Sequence, residues 1–190
     1  MVDITIYTHI KQRFNKNKMK TSDLKTTEYN EYYYRYINLI SKETTLIDGF
    51  KKDSDIVLEF FESIPSDKLD YRYAEGKWSV KEIFQHLIDT ERIFQHRCFR
   101  FSRHDKTVIS GFEQDDYIEP SCANDKSLES LIEEFKAVRQ SFIVLLKSLE
   151  ENDLKFIGNA SGLDMSARAA AFTILGHSIW HIKVINERYL

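Results

Sequence analysis

Histidine is the residue type in this chain whose spacing points most directly to chemistry. The stretch "GHSIWHIKV", residues 176 to 184, sets His177 and His181 four apart, with no charged side chain from Ala169 through Ile182. On a helix turning about 100° per residue, the two imidazoles lie about 40° apart on one face. Ala170, Ile174, Val184 and Ile185 share that side, so both rings are expected to be buried. A buried polar group without a partner costs roughly 1–3 kcal/mol. Two readings satisfy this pair: core histidines with hydrogen-bond partners, or two ligands of one metal ion. His86, in "FQHLIDTE", is the candidate third ligand. It stands about 100° from Leu87, at the edge of another apolar stripe, and an edge position faces the seam where bundles build metal sites. Taken alone, a residue at such a position is more commonly a half-exposed surface group. His96, His104 and His9 fall outside any stripe and read as surface residues. Three neutral imidazoles would leave coordination positions open, as catalytic rather than structural metal sites do. Imidazole ligands suit Zn, Ni, Fe or Cu.

Two charges stand where apolar residues belong. Glu91 lies about 40° from Leu87, and Arg139 about 40° from Phe135, each inside its helix's stripe. Buried charges are tolerated when paired. The two are therefore expected to meet in the interior, where they would support the metal site from behind. Asp89 and Arg92 read as a solvent-face pair. No Glu-x-x-His, HExxH, GxSxG, phosphate-binding glycine loop or dinucleotide fingerprint is present.

Helices must position these residues. "EYNEYYYRYINLI", residues 28 to 40, predicts a short aromatic helix. Leu46, Phe50, Val57, Phe61 and Ile64 mark a longer one. After a loop broken by Pro65 and Gly76, Ser79 with Glu82 forms a capping-box pattern, and the stripe Val80, Ile83, Phe84, Leu87, Phe94, Cys98 and Phe101 follows. Ser127 opens a third helix with a near-heptad stripe from Leu128 to Leu149. Gly158 and Gly162 mark a second loop. Ser166 can cap a last helix running to about Arg188. The expected architecture is all-α, a four-helix bundle with a short N-terminal helix.

Composition agrees. Six Gly and two Pro are too few for the many turns of an all-β fold, and 42% hydrophobic with 30% charged residues suits a globular protein. A net charge of -3 leaves no electrostatic footprint for nucleic acid. No apolar run reaches the roughly 18 residues of a membrane span, and the N-terminus lacks a signal-peptide pattern. Cys98 and Cys122, far apart, suit a reducing cytosol, so a cytoplasmic protein is expected. Residues 1–27 are basic and weakly patterned. They read as a flexible extension, with Met19 as an alternative start and residues 1–18 dispensable, ahead of a single domain over 28–190.

The blocks "YRYAEGKWSVKEIFQHLIDTERIFQHRCFR", "RHDKTVISGFEQDDY", "SLESLIEEFKAVRQSFIVLLKSL" and "LGHSIWHIKVINERYL" resemble the DinB-like superfamily of damage-inducible-type helical bundles. The resemblance spans roughly residues 28 to 190. It implies a four-helix bundle in which three histidines of the second and fourth helices hold one divalent metal, with Zn or Ni foremost. Residue by residue, that pattern falls on His86, His177 and His181. Many relatives carry an acidic residue and an extra histidine inside the last motif. Here Ser178 and Trp180 take those places, so any proton-handling role of the replaced residues does not carry over. Characterised relatives include metal-dependent transferases and isomerases using low-molecular-weight thiols such as bacillithiol or mycothiol. The implied activity is metal-dependent transfer involving such a thiol and a small-molecule substrate, with no catalytic residue identified beyond the ligands. Two alternatives stay open: a non-catalytic, metal-binding stress-response bundle, in one form a homodimer, and a metal-dependent hydrolase. The long loop after the second helix is the candidate lid. Its Phe112 and Tyr117 either line a pocket over the metal or anchor the loop on the bundle. Trp78 and Tyr73 are expected to pack on the bundle end.

Overall fold

Serine hydroxyls start three of the four long helices. Ser79 Oγ accepts from the Glu82 amide, Ser127 Oγ from the Ser130 amide and Ser166 Oγ from the Ala169 amide, each satisfying a donor that the first helical turn leaves free. Glu82 completes the capping box by accepting from the Ser79 amide at 2.7 Å. The computed structural model describes residues 19–190. In chain order its helices are α1 (Tyr34–Ile37), α2 (Leu46–Ser63), α3 (Val80–Ser102), α4 (Ile118–Ser121), α5 (Leu128–Ser148), α6 (Glu151–Lys155) and α7 (Ala167–Arg188). A hairpin of β1 (Ile157–Ala160) and β2 (Leu163–Ser166) joins α6 to α7. Helices α2, α3, α5 and α7 form the four-helix bundle, with α7 packed against both α2 and α3. Among the described residues, no helix is long and apolar enough to cross a membrane.

The core has two apolar halves. One gathers Phe50, Phe94, Phe101, Phe142 and Phe172; the other gathers Phe61, Phe84, Leu131, Phe135 and Ile185. Arg139 lies at their junction, its guanidinium 5.0 Å from the Phe50 ring and 4.9 Å from the Phe135 ring. It donates to Glu91 at 2.8 Å, as the stripe positions led one to expect, and also to Asp53 at 2.7 Å. One charged cluster thereby ties α2, α3 and α5 together. Asp89 and Arg92 pair at 3.0 Å on the outer face, where Glu134 joins them.

Three expectations need correction. The aromatic helix over residues 28–40 is a 3₁₀ turn (Glu31–Tyr33) followed by α1. Tyr32 and Tyr34 are half exposed while Tyr33 and Ile37 are buried, so no continuous apolar face sustains a longer helix. The loop marked by Gly158 and Gly162 is a hairpin. Ser161 and Gly162 both have positive φ, 56° and 74°, the requirement of a tight two-residue turn. Residues 1–18 lie outside the described residues, but the expected flexibility does not extend through residue 27. Met19 is buried, its carbonyl accepts from the Leu46 amide at 2.9 Å, and the Thr21 amide donates to Thr44 at 3.0 Å. Beyond it, Glu28 forms a buried ion pair with Arg168 of α7.

Candidate metal centre

His86 projects from the second turn of α3, and His177 and His181 from the middle of α7. Because α7 carries no charged side chain from Ala169 through Ile182, the other helices can sheathe it, and it is buried continuously from Ala167 to Ser178. The four-residue spacing sets His177 and His181 one turn apart, their rings edge to face with centroids 4.5 Å apart. Helix α3 packs alongside and brings His86 within 5.0 Å of both rings. The three Nε2 atoms turn to one point: His86 Nε2 and His181 Nε2 each lie 3.1 Å from His177 Nε2. The sequence-expected triad is thus brought together, and His86, read alternatively as half exposed, is 4% exposed.

Burial dominates the electrostatics. It lowers the His86 pKa to about 4 and the His181 pKa to about 3, with the neighbouring His86 ring adding to the second shift. His177 falls well below its ordinary value for the same reason, reinforced by His181, His86 and Arg35. All three rings are therefore neutral at pH 7. Between neutral rings each 3.1 Å contact is an N–H···N hydrogen bond when one partner carries its proton on Nε2, whereas a shared cation would engage all three Nε2 lone pairs at once. Three nitrogens held tetrahedrally at about 2.0–2.1 Å from one ion would lie about 3.3 Å apart, so the spacing fits a metal such as zinc. His181 Nδ1 is buried without a partner among the described residues, and His86 Nδ1 lies 3.5 Å from Thr90 Oγ1. Among the described residues no carboxylate or thiol joins the three rings within ligand distance. The donor set is three borderline ligands with room for others.

Two clefts reach the triad. A cavity of about 240 Å³ is lined by His177, Tyr36, Thr90, Phe94, Arg97 and Phe112, among others. An open cleft of about 800 Å³ reaches His181 and is walled by Trp78, Ile83, Ile118 and Tyr189. Phe112 lines the first of these beside His177. Tyr117 does not: it packs on Phe112 at 5.6 Å, is 41% exposed and lines neither cleft. The loop that carries them is fastened to α3, since Ser79 Oγ donates to Asn124 Oδ1 at 2.6 Å and Asn124 Nδ2 donates to Glu82 at 2.9 Å. Glu91 and Arg139 meet, but among the described residues no hydrogen bond joins them to the imidazoles. The Ser178 hydroxyl, next to His177 in the chain, donates to the Ile174 carbonyl at 3.1 Å.

Aromatic residues at the site escaped the sequence reading. Trp78 covers His86 at 4.7 Å, and Tyr36 meets His177 edge-on at 5.2 Å. Trp78 directly precedes the Ser79 cap, two helical turns from His86, and this register was the available signal. Tyr36 carried no comparable signal, because its contact depends on how α1 lies across α7. Trp180 packs edge-on against Tyr36 at 6.0 Å, and Tyr73 packs against Tyr189 at the bundle end as expected.

Comparison with known proteins places this geometry. A family model described as the DinB superfamily matches residues 50–185. No curated protein matches the sequence. Among solved structures, the chain is similar to one titled "YfiT from Bacillus subtilis is a probable metal-dependent hydrolase with an unusual four-helix bundle topology". That similarity has a TM-score of 0.66 at 17% identity, covers 75% of this chain and 82% of the other, and establishes a shared fold.

Proposed function

Because this chain belongs to the DinB superfamily, we propose that it is a metal-dependent enzyme whose His86, His177 and His181 hold one divalent cation, zinc or nickel. The observation that carries this reading is the convergence of three Nε2 atoms, on rings of which His177 lines one cleft and His181 the other. Side chains filling every position around the rings would suit a purely binding or structural role; open approaches suit a reaction. A bound cation would supply Lewis acidity and lower the pKa of a thiol or water held against it.

The chain's own residues prepare that chemistry. Burial keeps the imidazoles neutral, so they can ligate at pH 7 without first losing protons. Trp78 and Tyr36 fix ring orientations by packing on His86 and His177. The Tyr36 phenol, its pKa raised by burial to about 12, remains a proton donor on the cavity wall. Neutral ligands leave the full charge of a divalent ion available to an anionic partner. Two clefts, one reaching His177 and one reaching His181, suit a two-substrate transfer. We take the partners to be a low-molecular-weight thiol and a small electrophile. The breadth of the His181 cleft, which admits water, favours a second reading as a metal-dependent hydrolase, the description attached to YfiT.

Metal analysis of the purified chain beside His86→Ala and His177→Ala tests the centre. The parent is expected to hold about one metal per chain, as a three-histidine site would, and both variants far less. Equal metal content in all three proteins overturns the triad. A screen of thiols with a halogenated aromatic acceptor then separates the chemistries. Turnover requiring both metal and thiol supports transfer. Ester hydrolysis that proceeds without thiol, with no transfer by any thiol, supports the hydrolase.

A further inference from the structure

Three arginines are buried among the described residues, and two of them have carboxylate partners: Arg139 with Glu91 and Asp53, Arg168 with Glu28. Arg97 of α3 is 2% exposed and has none. Its Nη2 donates to Ser161 Oγ at 2.9 Å and its Nη1 to the Tyr33 hydroxyl at 3.3 Å, both neutral acceptors. Its Nε is buried with no hydrogen-bond partner among the described residues. The guanidinium lies 4.7 Å from the Phe94 ring and 5.8 Å from that of Phe112. A buried charge is ordinarily paired, because desolvating it alone costs far more than neutral hydrogen bonds return. The missing negative charge has a place to come from, since Arg97 lines the same cavity as His177. Glu113, the acidic residue of that lining, is exposed and makes no ion pair with Arg97.

We propose that the cavity between Arg97 and His177 binds a small carboxylate substrate, its carboxylate held by Arg97 and its reactive end directed toward His177. The placement of the reactive end rests on the metal-centre reading above; the carboxylate site does not. A single guanidinium matches a single negative charge, and its planar fork suits a carboxylate's two oxygens. A phosphate dianion would call for further cations, and no Lys or other Arg stands among the described residues that line the cavity, whose aromatic wall is Tyr33, Tyr36, Phe94 and Phe112. At about 240 Å³, the cavity falls below the roughly 300–1,000 Å³ of pockets for drug-sized ligands, which selects a small acid.

Benzoate and its neutral isostere benzamide provide the probes, titrated calorimetrically into the full chain with and without zinc. Benzoate should bind the zinc-free protein, and benzamide should bind about tenfold more weakly or worse, the loss of one charge-assisted hydrogen-bonded pair. Arg97→Met should remove that preference, while Arg97→Lys should keep part of it. Zinc content should stay at the parent's level in both variants. The parent comparison needs no substitution, so it decides the matter even if Arg97→Met fails to fold. Equal binding of the two probes, no binding of benzoate, or benzoate affinity unchanged in folded Arg97→Met would each overturn the proposal and leave Arg97 a tie between Tyr33 and Ser161. Inorganic phosphate binding more tightly than benzoate would overturn the choice of carboxylate. Failure of the metal reading shows separately, as absence of zinc binding while the Arg97-dependent preference for benzoate persists.

Discussion

The three imidazoles titrate in different ranges in the folded and unfolded chain, and this gives the metal-free protein a pH dependence of calculable sign. In the unfolded chain each ring titrates near 6.5; in the folded chain His86 titrates at about 4 and His181 at about 3, chiefly because of burial. Above 6.5 neither state carries the protons, so the triad leaves stability independent of pH there. Below 6.5 the unfolded chain takes up protons that the folded chain refuses, and stability falls until the pH has passed through the folded values. Urea midpoints of the metal-free chain should therefore drop between about pH 7 and about pH 5, a window above most carboxylate titrations. His86→Leu should show a smaller drop. A parent midpoint unchanged across that window would contradict the buried, neutral triad. Saturating zinc should raise the midpoint most at the upper end, where no proton competes for the rings.

At the level of elements, Gly176 controls how α1 sits on α7. A glycine inside a long buried helix ordinarily costs about 1 kcal/mol against alanine. A Cβ at this position would lie 2.1 Å from the Tyr36 carbonyl oxygen, so the bare backbone is what lets α1 approach. Gly176→Ala should therefore destabilise despite its better helix propensity, by about 1–3 kcal/mol, as overpacking does. By displacing Tyr36 from His177 it should also weaken zinc binding. A variant as stable as the parent, with unchanged zinc affinity, would show that the contact does not matter. The same residue shows what the sequence could reveal. The long helices were legible because their stripes repeat at helical spacing and serines stand at three of their starts. The triad was legible because two ligands share one helix face and the third edges another stripe. The close approach at Gly176, the hairpin turn at Ser161 and Gly162, and the packing of Met19 were not. The first and last depend on partners distant in the chain, and the hairpin's four-residue strands are too short to record a periodicity.

Across the whole molecule, the two halves of the core meet at a charged cluster that is itself unbalanced. Arg139 faces two carboxylates, Glu91 and Asp53, each almost wholly buried. Burial works against the arginine's charge, yet the two carboxylates outweigh it and raise its pKa. For both carboxyls burial comes first and pushes their pKa up, with Arg139 pulling the other way. Removing either member breaks a buried pair, but the two removals leave different remainders. Arg139→Met leaves two carboxylates facing one another without a cation, and should cost about 3–5 kcal/mol. Glu91→Gln leaves one arginine and one aspartate in balance and keeps a polar group for Arg139 Nε, so it should cost less, about 1–3 kcal/mol. The Arg139→Met deficit should also shrink as pH falls. Without the arginine both carboxyls bind protons more readily folded than unfolded, so acid favours the folded variant. Urea unfolding of the two variants and the parent at neutral and mildly acidic pH measures all of this. If Glu91→Gln proved the more damaging change, the cluster would be stabilised by its full set of hydrogen bonds rather than by its balance of charge.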